Sequence, residues 1–395
     1  MAIAEPAAPT RMATTQPSPP HAYFADLYTF DWSKLNLREP LISVLAVALC
    51  LIGGVLAGHP SAGLITGGGA MTVGFGANQR IADSRLWPMI AATLVMSLST
   101  LIGMIVGHNG YALLLAAALW GLNYGLLTSL APGISWVGQQ AAVTLFVATA
   151  FPADLHHAFL RSLLILLGGA IQILITSAFL HLLPELTDDV ANLHHATHDG
   201  IAYLLDSMPQ QDGIAYSIQP VTLRSRLARL FSRVPYLNGL PSFPYALRLA
   251  LTVLLAAETY RRLNMQSGYW VPMTALLVQK PAFAETLNRA LLRIAGTLAG
   301  AGLATFFLVH IQPAPLFLAI FATLFALGGY CTNNVNYGLF SLCLTAYIVF
   351  LLSLNALPGP VIAHRRVACT IAGGLIALVI HLDALRSLRT HRRHA

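Results

Sequence analysis

Residues 87 to 107 read WPMIAATLVMSLSTLIGMIVG, twenty-one positions without one ionisable side chain. About 20 apolar residues in helical form cross the roughly 30 Å hydrocarbon layer of a bilayer, so this stretch is read as a membrane span. Working outward, apolar runs recur at 41–57, 61–78, 111–131, 134–151 and 161–181. After a more polar stretch they resume at 244–258, 268–280, 290–309, 314–331, 337–355 and 361–381. The expectation is an all-α polytopic membrane protein of about twelve transmembrane helices, six and six. The second run contains Gly67, Gly68 and Gly69, and the eighth contains Gly268 and Pro272, so these two are the least simple as helices.

Composition agrees. Of 395 residues, 56% are hydrophobic and 9% charged. A soluble domain carries about 25% charged residues, so an ordinary cytosolic enzyme is excluded. The net charge of +7 does not point to nucleic acid, because the basic residues sit in short gaps between apolar runs rather than on one folded surface. They act as topology signals. With both termini in the cytoplasm, seventeen of the Lys and Arg residues fall inside and five outside, the latter being Arg161, Arg261, Arg262, Arg365 and Arg366.

The two groups of runs are related. Sliding the chain on itself by 204 positions sets Ser84-Arg85 on Asn288-Arg289, Ile90–Leu94 on Ile294–Leu298, Arg161 on Arg365 and Gly169 on Gly373. This register reads as two tandem six-helix repeats, with pseudo-two-fold symmetry about the membrane normal and the pathway expected at the interface between halves or subunits. The implied divisions are a cytoplasmic tail with a short interfacial helix (1–37), a first membrane repeat (38–182), a cytoplasmic helical linker (183–243), a second repeat (244–382) and a basic cytoplasmic tail (383–395).

The stretch Gly268-Tyr269-Trp270-Val271-Pro272-Met273-Thr274 is the first candidate site. A proline inside a span frees a backbone carbonyl one turn earlier, Thr274 can supply a hydroxyl, and Tyr269 and Trp270 can stack on an aromatic solute. The alternative is an aromatic belt at the membrane interface. Arg289 and Arg293 share one helix face at the cytoplasmic mouth and, with Arg85 of the first half, could clamp a carboxylate. Headgroup anchoring is their other reading. Arg161, Arg365 and Arg366 lie against the topology rule and are candidate exit-side anion contacts, Arg161 with Asp154 as a candidate partner. Asn333 and Asn334 are candidates for lining a polar passage, against a packing role between helices. No carboxylate falls near the middle of a run, so proton coupling would rest on Glu258, Glu285, His181 or His310. The spacing of His194, His195 and His198 lacks further metal ligands, and no Gly-Lys-Ser/Thr phosphate loop is present, so neither a metal, a cofactor nor ATP hydrolysis is expected.

From Ser267 through Tyr269-Trp270, Pro272, Thr274, Lys280-Pro281, Glu285-Thr286, Arg289, Arg293 and Gly296-Thr297, the chain resembles the signature of the fusaric acid resistance family of inner-membrane proteins. The motif is good in the second half only: Met89 stands where that half has Arg293. The resemblance implies no enzyme but an efflux transporter in the bacterial inner membrane, exporting organic anions such as aromatic carboxylic acids by a secondary mechanism. It also implies a periplasmic adaptor and an outer-membrane channel as partners. A homo-oligomer is expected, with Gly296, Gly300 and Gly302 able to serve subunit or internal contacts. Two other readings stay open. One is a passive anion channel similar to the plant aluminium-activated malate transporters; the other is a non-transporting membrane scaffold.

Overall fold

The computed structural model describes residues 29–81, 84–180, 242–311, 314–355 and 358–391. The expected linker helices, the histidines at 194–198, His181 and the basic tail beyond 391 lie outside the described residues. Among the described residues six α-helices precede the linker: α1 (Arg38–Leu56), α2 (Pro60–Gly74), α3 (Leu86–Val106), α4 (Gly110–Leu127), α5 (Pro132–Thr149) and α6 (Leu155–Phe179). Six follow: α7 (Phe243–Arg262), α8 (Trp270–Val278), α9 (Phe283–Ile311), α10 (Pro315–Thr332), α11 (Tyr337–Ser353) and α12 (Gly359–His391). No strand occurs among the described residues, only an isolated bridge between Ile81 and Ser84.

The helices start where the sequence makes starting easy. Pro60, Pro132 and Pro315 open α2, α5 and α10, at a position where the missing N–H would have no helical partner anyway. Asn109 and Asn336 cap α4 and α11, each side chain accepting from two backbone N–H groups of the first turn. Seven helices are long and apolar enough to cross a membrane: α1, α3, α4, α6, α9, α10 and α12. The α2 helix has 15 residues and α8 only 9, so neither reaches the roughly 30 Å of a full span on its own.

Outward faces are apolar. Leu41, Leu45 and Leu49 on α1 and Leu247, Leu251 and Leu255 on α7 are exposed at four-residue spacing. Continuous leucine stripes of this kind are rare on soluble proteins and match a lipid environment, so the chain is a multi-pass membrane protein.

Pairings in the two halves correspond. The α3 helix packs on α5 and α6 and α2 packs on α6, as α9 packs on α11 and α12 and α8 on α12; between the halves, α4 meets α7 and α10 meets α1. Successive helices run in opposite directions. One end gathers the Arg85–Glu39 ion pair (2.7 Å), the Arg248 contact with the α8–α9 turn and the bond from Asp31 N–H to the Val335 carbonyl (3.2 Å).

Glycines set the closest approaches. A Cβ on Gly296 or Gly300 would lie 2.4 Å or 2.3 Å from a backbone oxygen of α11, so these two glycines serve contacts inside the chain, whereas Gly302 faces open space. At Gly125, where α4 crosses α7, a Cβ would lie 2.3 Å from the Ala246 Cα. Gly125→Val is expected to force α4 from α7 at a cost of about 1–3 kcal/mol. Thermal unfolding in detergent should show a lowered melting temperature, and an unchanged one would refute this account of the contact.

Candidate functional site

Two arginines are enclosed within the second half. Arg366 lies two turns into α12 and is 1% exposed; Arg293 lies three turns into α9 and is also 1% exposed. The Arg366 guanidinium sits 4.0 Å over the Trp270 ring, and its Nε donates to Thr345 Oγ1 at 3.3 Å. Both of its terminal nitrogens lack a hydrogen-bond partner, as do Nε and Nη1 of Arg293. The two cations act on one another electrostatically. Neither arginine takes part in an ion pair; the ion pairs among the described residues are those of Asp31, Glu39, Asp154 and Glu258.

The surrounding hydroxyls come from three helices. Thr274 Oγ1 on α8, Thr297 Oγ1 on α9 and Tyr337 OH at the start of α11 are buried without partners. Ser341 donates to the Arg293 carbonyl at 3.3 Å. Ser341 and Thr345 stand four residues apart, on the α11 face that packs on α9. Unpartnered N–H and O–H donors around two buried cations, with no carboxylate paired to either, are complementary to an anion with several acceptor oxygens.

Several expectations change here. Arg366 is not an exposed exit contact: it belongs with Trp270 and Thr345 inside the bundle, whereas Arg365 is half-buried and His364 exposed. Trp270 and Tyr269 are each 5% exposed, so they do not form an interfacial belt. The Trp270 face is met by Arg366, and the Tyr269 ring centroid lies 4.7 Å from that of Trp270, so the indole is engaged within the protein. Pro272 falls in the first turn of α8, where it interrupts no helix, and the Gly268 carbonyl one turn earlier accepts from Val271 N–H at 2.9 Å.

Other candidates are placed elsewhere. Arg85 pairs with Glu39 rather than joining Arg289. Arg161 lies 5.9 Å over the Phe151 ring, while Asp154 binds His157, which holds its carboxyl below the usual range. Asn333 and Asn334 occupy the turn between α10 and α11, with Asn334 exposed. Glu258 is held by both Arg261 and Arg262. Sequence reasoning quoted Thr297 only within the family signature and passed over Ser341 and Thr345, whose only signal is a hydroxyl on the α11 face that packs on α9.

Below Arg293, at the end where α8 turns into α9, further cations gather. Arg289 sits 4.4 Å over the Tyr337 ring. Arg248 of α7 donates to the carbonyls of Lys280 (3.1 Å) and Pro281 (3.0 Å) and meets His381 Nε2 at 3.5 Å. In the turn, Lys280 donates its backbone N–H to Thr286 Oγ1 at 3.0 Å, and burial together with the Arg289 charge pulls its ammonium down to about 8.

The folded state therefore releases the Lys280 proton before the unfolded chain does, and the unfolded chain binds more protons between pH 8 and 10.5. Stability rises with pH across that window. Melting temperatures measured in detergent should climb over it in the wild type, and Lys280→Met should remove part of the climb. An identical pH profile for the two proteins would refute the assignment.

Comparison with known proteins gives partial matches. An uncharacterised protein, ORF2, of Neisseria gonorrhoeae is 30% identical over 138 residues, 34% of this chain and 32% of that protein. An uncharacterised Synechocystis protein is 28% identical over 152 residues (38% and 20%), and YhfK of Escherichia coli K12, also uncharacterised, is 31% identical over 170 residues (40% and 24%). The matches thus span between 20% and 32% of these curated relatives' own length. No solved structure matches. Residues 250–380, which hold Trp270, Arg293, Thr345 and Arg366, match the fusaric acid resistance protein-like family.

Proposed function

We propose that this protein is a secondary exporter of organic anions, aromatic carboxylic acids among them, in a bacterial inner membrane. The observation that carries this reading is the pair of buried guanidinium groups with unpartnered N–H donors and no paired carboxylate. Burying a cation without a counterion is strongly unfavourable, so such a site is a place for a charge brought by a ligand. The match of residues 250–380 to the fusaric acid resistance protein-like family supports a membrane transport role.

The architecture that fits is two six-helix repeats related by a pseudo-two-fold axis. Its support is the matched helix pairing, together with helix bounds that recur at an offset of 204 or 205 residues, Pro132–Thr149 against Tyr337–Ser353 and Gly110–Leu127 against Pro315–Thr332. Both termini are assigned to the cytoplasm from the distribution of Lys and Arg. An anion then meets Lys280 and Arg289 first, moves to Arg293 and Arg366, and leaves past Cys369 and Ser267, whose thiol and carbonyl lie 3.7 Å apart. Rocking of helices around a fixed site completes transport. A periplasmic adaptor and outer-membrane channel would carry the solute onward.

A deletion strain tested against a panel of aromatic and aliphatic carboxylates should become more sensitive to one or more of them. Arg293→Met and Arg366→Met, inserted in equal amounts, should each reduce export roughly 10- to 100-fold, the equivalent of one or two charge-assisted hydrogen bonds. Unchanged export in both would overturn the reading. The same carboxylates in proteoliposomes separate exporter from passive channel: flux insensitive to an imposed proton gradient but following the membrane potential selects the channel.

A further inference from the structure

Every buried side-chain polar atom without a hydrogen-bond partner, among the described residues, lies between Arg248 and His381. The first half has buried polar residues as well, but they are satisfied or replaced. At the offset of 204, Met89 stands for Arg293 and is fully buried. Thr93 stands for Thr297, and its hydroxyl donates to the Met89 carbonyl at 2.8 Å. Ser162 stands for Arg366, and its carbonyl accepts from Ser97 Oγ at 2.9 Å. Val137 and Ala141 stand for Ser341 and Thr345.

These substitutions change the interior from charged to dry while keeping the helix pairing. The α3, α5 and α6 helices pack on one another as α9, α11 and α12 do. A buried hydroxyl that donates back to its own helix offers little to a solute, and a buried methionine offers nothing to an anion. In the second half the opposite holds: Nε and Nη1 of Arg293, both terminal nitrogens of Arg366 and the Thr297 hydroxyl have been withdrawn from water and assigned to no protein acceptor.

We infer that each chain has one oxyanion-binding site rather than two, built by α8, α9, α11 and α12 between Arg293 and Arg366, and that the matching region of the first half is a closed counterpart that binds no anion. The inference rests on the transport reading for the occupant, an organic oxyanion such as a carboxylate. It also moves the polar lining away from an evenly shared seam between halves: the first half braces, and the second half binds.

The test uses full-length protein in membranes, with Cys50, Cys331, Cys343 and Cys369 replaced by alanine. Single cysteines are then introduced by Thr297→Cys and Ser341→Cys, and at the matching places by Thr93→Cys and Val137→Cys. Each variant is treated with a sulfonate-bearing methanethiosulfonate and with its trimethylammonium analogue. At Thr297→Cys and Ser341→Cys the anionic reagent should react faster than the cationic one by about 10-fold or more, as expected for a cation-lined cleft. Adding Arg293→Met or Arg366→Ser should erase that preference. Both first-half variants should stay unmodified. Equal modification in the two halves, faster reaction with the cationic reagent, or no reaction at either second-half position would overturn the inference. Carboxylate flux through proteoliposomes of the cysteine-free protein is read separately. Flux with the wrong labelling pattern rejects the one-sided site but keeps the exporter, and the expected labelling without flux rejects the exporter but keeps the site.

Discussion

A guanidinium group moved from water into a bundle of apolar helices loses several kcal/mol of hydration unless something inside replaces it. For Arg366 the replacements are the Trp270 ring at 4.0 Å and one threonine hydroxyl. A desolvated cation–π contact is worth about 2 kcal/mol, which falls short of that loss. The remainder is met by structure around it: α12 is pressed against α8 at Gly373, where a Cβ would lie 2.5 Å from the Val271 carbonyl, so the arginine has no easy way out. Gly296 and Gly300 do the same for α9 and α11, bringing Arg293 beside Ser341. Close glycine contacts thus hold two like charges where neither would settle alone.

That arrangement explains the difference between the halves. Helix pairing depends on small residues and apolar stripes, and both halves have these. The site depends on a few polar substitutions within the same frame. Met89 in place of Arg293 and Ser162 in place of Arg366 leave packing intact and remove the charge. The outer leucine faces of α1 and α7 are alike because both meet lipid.

Much of the helical frame was legible in the sequence, since apolar runs bounded by Gly, Pro and Asn announce both their length and their ends. The run at 87–107 became Leu86–Val106 and the run at 337–355 became Tyr337–Ser353. The apolar run at 290–309 starts seven residues after α9 does, because Glu285, Asn288 and Arg289 make the first turns of the helix polar. Trp270, Arg293 and Arg366 were all singled out, but Arg366 was assigned to the exit side rather than to Trp270. Arg366 opens an apolar run, and a one-dimensional reading assigns a cation there to the surface. Only packing shows that α12 is tilted against α8 so that this end is enclosed. Asn336, in the same turn as the candidates Asn333 and Asn334, caps α11 with its side chain, a local role that Asn shares with solvent-exposed turns.

The brevity of α8 has an electrical meaning. Nine residues give about 13 Å of rise where a full crossing needs about 30 Å, and the chain before it turns through Asn264 and Ser267 in left-handed backbone. A solute passing along α8 would cross fewer helical turns than along a full span. A resting potential of about 100 mV, negative inside, acts on each unit charge moved across it with roughly 2.3 kcal/mol. On the exporter reading proposed above, that field would drive an anion outward past the two arginines.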